Sequence, residues 1–243
     1  IRYDNRDTGR SSSLRGRVTR GSLARAFVGA PVAAPYSLRD MAEDAVGLLD
    51  HLGIESANVV GISMGGMIVQ TLAIQHPGRV RSMASIMSTT GKKSVGWQDP
   101  KLLPRLLFRK QLDREAYVKN SVAFGKMIGS PSYPEPDERA VARAEETFER
   151  GLNGAGVLRH MVAVLTQPNR TNDLHGVMAP TLVVHGLNDR MVHVSGGRAT
   201  SAALPGSELL LAEGMGHDLP PELWDTITDA IRRTANRADA APS

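Results

Sequence analysis

With 243 residues, 41% of them hydrophobic, the chain is long enough to bury the core of one large α/β domain. It has no cysteine, which excludes disulfides, thiolate zinc sites and a cysteine nucleophile together. Its 29 basic and 25 acidic side chains leave a net charge of +4 without aromatic interleaving, so nucleic acid is not expected as a partner, and no apolar run reaches the roughly 18 residues of a membrane-spanning helix.

The chain opens on Ile1 rather than Met, and Ile1-Arg2-Tyr3-Asp4 reads as the second half of a buried strand over residues 1–7. The native start is therefore expected to lie upstream. With the native start not in view, a cytoplasmic location is the default expectation. A polar turn, Thr8-Gly9-Arg10-Ser11-Ser12-Ser13, and a basic stretch to Pro35 follow. Ser37 then caps a helix, with Asp40 placed to satisfy free amides and Leu38, Met41, Ala42, Ala45, Leu48, Leu49 and Leu52 at helical spacing before Gly53. Residues 57–62 read as a strand, followed by a sharp turn and an apolar helix ending before Pro77. Further strands are expected over residues 80–89, 179–185 and 208–212, and a last helix over 221–238. The Leu182-Val183-Val184 run fits a strand buried on both faces.

Between residues 92 and 172 the strand–helix alternation is interrupted by helices punctuated by Pro104, Pro131, Pro134, Pro136 and Pro168. The expected organisation is a core of residues 1–91 and 173–243 carrying a helical insertion, 92–172. Residues 138–150 read as a solvated helix. Val157, Leu158, Met161, Val162 and Leu165 form an apolar stripe that either packs in a core or lines a substrate cleft.

Gly61-Ile62-Ser63-Met64-Gly65 matches G-x-S-x-G, in which flanking glycines permit a strained strand-to-helix turn that lifts the serine hydroxyl out of the backbone. The string alone is weak, but here a strand ends at Ile62 and a helix begins at Met64. A serine hydroxyl needs a base to take its proton and a third group to orient that base. Asp189 follows the buried strand 179–185, and His217 follows the final strand. All three thus sit at C-terminal strand ends, where open parallel sheets place their ligands, in the order Ser, Asp, His. Asp173 is an alternative acid, and His185 reads as a shaper of its turn rather than the base. No His, Asp and Glu set has metal-ligand spacing, so neither metal nor cofactor is expected.

Together with Asp4-Asn5-Arg6-Asp7-Thr8-Gly9-Arg10-Ser11-Ser12, His185-Gly186-Leu187-Asn188-Asp189 and Gly214-Met215-Gly216-His217, this nucleophile elbow resembles the α/β-hydrolases, in particular actinobacterial carboxylesterases and lipases and the methylesterases of aromatic polyketide pathways. The resemblance implies an α/β fold with a mostly parallel sheet, flanking helices and a cap domain in the insertion. It implies that Ser63 is acylated, that His217 shuttles the proton, that Asp189 orients it and that the Met64 amide donates to the oxyanion. A serine hydrolase acting on small-molecule carboxylic esters is the expected activity. A perhydrolase, a carbon–carbon bond hydrolase, a binding or receptor protein retaining the pocket, and an inactive truncated fragment remain alternatives; oligomeric state is not legible. The family's earlier strands and its His-Gly oxyanion loop would lie upstream of Ile1. The sheet is therefore expected to be N-terminally incomplete, with a gap or a displaced first strand and only one oxyanion donor, the Met64 N–H.

Overall fold

A computed structural model describes residues 1–102, 104–105 and 113–240. Besides short 3-10 turns, the elements in chain order are α1 (Arg20–Phe27), α2 (Leu38–His51), β1 (Ala57–Ile62), α3 (Met64–Gln75), β2 (Val80–Ile86), α4 (Arg114–Ile128), α5 (Asp137–Glu149), α6 (Gly154–Leu165), α7 (Thr171–Leu174), β3 (Thr181–Gly186), α8 (Ser195–Ala203), β4 (Glu208–Ala212) and α9 (Trp224–Ala240). They form two compact units. The first comprises Ile1–Met41, Pro100–Met127 and Glu135–Gln167, and the second Ala42–Asp99, Ile128–Pro134 and Pro168–Ser243.

The second unit is built on a parallel sheet in the order β1-β2-β3-β4. All six residues of β3 are buried, as are six of the seven in β2, which is why these strands read as continuous apolar runs rather than alternating ones. One face presents Ala84, Ile86, Leu182 and Val184 to Ile227 and Ala230 of α9. Each buried aliphatic side chain of this kind stabilises by roughly 1.5–3 kcal/mol. The other face carries α3, where Gln70 Nε2 donates to Ser85 Oγ at 3.0 Å, and α8, which packs against β3 and β4. Helix α3 is apolar nearly all round and buried from Gly66 to Ala73, as befits a helix wedged into the core.

Strand β1 is an edge. Among the described residues no strand pairs with its outer side, and Val60 and Ile62 are 48% and 46% exposed. The strand expected over residues 1–7 is not formed, and this corrects the sequence reading. The local backbone spends its hydrogen bonds on a turn instead: Asp7, at φ 67°, donates its N–H to Ser12 O at 2.9 Å, and Asp4 Oδ2 accepts from Arg10 N at 3.1 Å.

In the first unit that turn is held by a buried ion pair. Arg159, on α6, donates Nη2 to Asp7 Oδ1 at 2.6 Å and Nε to Oδ2 at 2.7 Å; Tyr36 Oη donates to Oδ2 at 2.7 Å and Leu14 N to Oδ1 at 2.8 Å. The guanidinium holds the Asp7 carboxyl well below the usual range, and burial together with Asp7 pushes the Tyr36 phenol up. A Cβ at Gly156 would lie 2.6 Å from Asp7 O, so the start of α6 approaches this closely only because position 156 is glycine. On the same helix, Val162 of the apolar stripe is fully buried, while Val157, Leu158, Met161 and Leu165 are half-buried.

Candidate active site

The second unit brings Ser63, Asp189 and His217 together. Ser63 is the single residue between β1 and α3, at φ 54° and ψ −116°, a backbone conformation that L-residues adopt only under constraint. Its N–H donates to Ile86 O at 2.8 Å, one step beyond the last strand residue. The turn closes through glycines of unequal importance. A Cβ at Gly61 would lie 2.1 Å from Gly65 O, and one at Gly66 2.6 Å from Ser88 Cβ, whereas one at Gly65 would meet nothing within 4 Å. Met64 opens α3, so its N–H belongs to the first turn, whose amides have no acceptor four residues back.

His217 Nε2 lies 2.9 Å from Ser63 Oγ, and its Nδ1 lies 2.7 Å from Asp189 Oδ2. The ring is fixed at both nitrogens. Asp189 Oδ1 accepts the amides of Met191 and Val192 at 2.8 Å each, so the loop after β3 wraps its own carboxylate. Burial would raise the pKa of this acid, but hydrogen bonds from His185 and His217 outweigh it and bring the value down to about 2. The acid is therefore anionic at neutral pH and able to stabilise an imidazolium. The carboxylate that meets His217 is that of Asp189, while Asp173 is exposed on α7.

Two chain segments that carry no motif brace the loops bearing these groups. Along 96–99, His193 N donates to Trp97 O at 3.1 Å, Asp99 N to Arg190 O at 2.9 Å and Arg190 Nε to Asp99 Oδ2 at 2.9 Å. Along 128–134, His217 N donates to Ile128 O at 2.7 Å, Gly216 N to Ser130 Oγ at 2.9 Å, and Ser130 Oγ in turn to Asp218. A Cβ at Gly216 would lie 2.3 Å from Gly129 O, so the loop of His217 and this segment are in backbone contact. Sequence reasoning passed over both braces; only the proline punctuation around Ser130 hinted at a fixed segment. Among the described residues, no group of three or more His, Asp or Glu side chains is gathered as a metal would need.

A sequence model of the α/β-hydrolase fold family matches residues 1–222. The chain belongs to that family. Among curated proteins, this α/β hydrolase is 26% identical to a 2-hydroxymuconate semialdehyde hydrolase of Pseudomonas putida over 96% of its own length and 82% of the relative's. It is 27% identical to the rhodomycin D methylesterase DnrP of Streptomyces peucetius over 95% of its length and 79% of that protein. Among solved structures, the enol-lactonase from Burkholderia xenovorans LB400 superposes with a TM-score of 0.73 at 20% identity, covering 96% of this chain and 79% of that one, a likeness of fold.

Proposed function

We propose that this α/β hydrolase cleaves carboxylic esters through an acyl-enzyme, with Ser63 as nucleophile, His217 as general base and acid, and Asp189 as the group that orients and stabilises His217. The observation that carries the reading is the continuous hydrogen-bonded line Ser63 Oγ, His217 Nε2, His217 Nδ1, Asp189 Oδ2. As Oγ attacks the ester carbonyl carbon, its proton passes to Nε2, and the carbonyl π pair moves onto oxygen. The Met64 N–H, in the first turn of α3 with the helix dipole behind it, stabilises that oxyanion. Collapse of the tetrahedral intermediate breaks the bond to the alkoxide, which leaves with the proton from Nε2. A water then gives a proton to Nε2 as it attacks the acyl carbon, and collapse of the second tetrahedral intermediate breaks the bond to Oγ, which takes that proton back from Nε2 as the carboxylic acid leaves.

Incubation with a fluorophosphonate and with short-chain aryl esters tests the reading. Covalent labelling and ester turnover, both lost in Ser63→Ala, are expected. Turnover that survives Ser63→Ala would refute it. The similarity to the 2-hydroxymuconate semialdehyde hydrolase supports a second reading, carbon–carbon bond hydrolysis with the same three residues. A larger kcat/KM for 2-hydroxymuconate semialdehyde than for any methyl or aryl ester would favour it.

A further inference from the structure

His185 is the last residue but one of β3, four positions before Asp189, and its side chain is fully buried. Its Nε2 lies 2.8 Å from Val192 O. A carbonyl only accepts, so Nε2 carries the hydrogen, and Nδ1 is the ring's other polar atom. That Nδ1 has no hydrogen-bond partner among the described residues. Helix α8 closes the space beside it: a Cβ at Gly197 would lie 2.5 Å from Nδ1.

A core histidine with half its polar capacity unused costs stability, and an apolar side chain of similar shape would avoid that cost. What the histidine supplies instead is one N–H at the back of the acid loop. Nε2 is 3.5 Å from Asp189 Oδ2, the oxygen that faces His217 Nδ1, at the outer limit of a hydrogen bond. The same N–H grips Val192 by its carbonyl, while the Val192 amide holds Asp189 Oδ1 at 2.8 Å. Val192 is thus held between the two side chains.

We propose that His185 is a positioning residue for the acid: it fixes Asp189 behind His217 through Val192 and through its own N–H dipole on Oδ2, without touching substrate. This rests on the proposed serine-hydrolase reading. His185→Gln retains an N–H at the end of its side chain, His185→Asn places it too short to reach Val192 O, and His185→Leu removes it. Misplacement of a catalytic group by about an ångström can cost roughly 100-fold. In the full chain, His185→Leu is expected to lower kcat for an aryl ester, and the rate of fluorophosphonate labelling, by about 10- to 100-fold with KM little changed, and His185→Gln to recover most of the loss. A folded His185→Leu enzyme with wild-type kcat would overturn the proposal, as would a His185→Gln enzyme as slow as the leucine variant. If His185→Leu does not fold, the amide pair decides: Gln faster than Asn supports positioning, and equal rates refute it. Ser63→Ala, run alongside, separates the two levels. Turnover abolished there but indifferent to His185 sinks the positioning role alone, and turnover that survives there sinks the parent reading with it.

Discussion

Two carboxylates of this chain are buried against a nitrogen base, and they are used in opposite ways. Asp7 meets the guanidinium of Arg159 in a two-pronged pair, with Tyr36, Leu14 and Asn153 filling its remaining acceptor positions. Every donor there keeps its proton at any pH the fold survives, so the cluster can only lock. Asp189 is as deeply buried, and its Oδ1 is equally saturated by amides, but Oδ2 faces an imidazole whose far nitrogen reaches a hydroxyl. An imidazole can gain and lose a proton near neutrality. The partner, and not the burial, decides whether a buried acid is a clamp or a working part.

The contrast is broken most sharply by Asp189→Asn. Under the proposed mechanism it removes the anion that supports an imidazolium while keeping the side chain's shape, and kcat for an aryl ester is expected to fall by about 10⁴ in protein that still folds. Arg159→Leu inverts the pattern. It strands the Asp7 carboxylate without its cation, so chemical denaturation should show a loss of about 3–5 kcal/mol, with kcat of the remaining folded protein little affected. Both carboxylates are held below their ordinary range, Asp189 at about 2 against 3.8. A depressed acid stabilises the fold above its unfolded-state pKa and loses that contribution as pH falls through its folded-state value. The contribution of these two carboxylates should therefore be complete above about pH 4, and stability should decline between about pH 4 and 2, Asp189 alone accounting for on the order of 2 kcal/mol. Stability that stays flat through that window would contradict the assignment. The smallest effects sharpen the comparison within the elbow. Gly66→Ala should cost about 1–3 kcal/mol by overpacking against Ser88, whereas Gly65→Ala, into open space, should stay within about 0.5 kcal/mol by thermal melting.

What the sequence disclosed follows the range over which its signals act. Strand β4, helix α3 and the cap formed by Ser37 and Asp40 were legible because each is written in a few neighbouring residues; Ser37 N does donate to Asp40 Oδ2, at 2.7 Å. The convergence of Ser63, Asp189 and His217 was legible because parallel strands deliver their following loops to one edge. Residues 1–7 misled because Ile1 and Tyr3 look like buried strand positions, yet Ile1 is 87% exposed and the segment's order comes from Arg159, 152 positions away. Ser130, which holds Gly216 and Asp218 across more than eighty positions, is one of two serines flanking Pro131 and carries no local signature of that duty.

The bond from Ser63 N–H to Ile86 O has a mechanical meaning. It extends the ladder between β1 and β2 by one rung, so the root of the Ser63 hydroxyl belongs to the sheet rather than to a loop. β2 cannot shear past β1 without breaking that rung. Under the proposed mechanism, the Ser63 hydroxyl is anchored to the sheet, and the imidazole's loop and the incoming ester are registered against it.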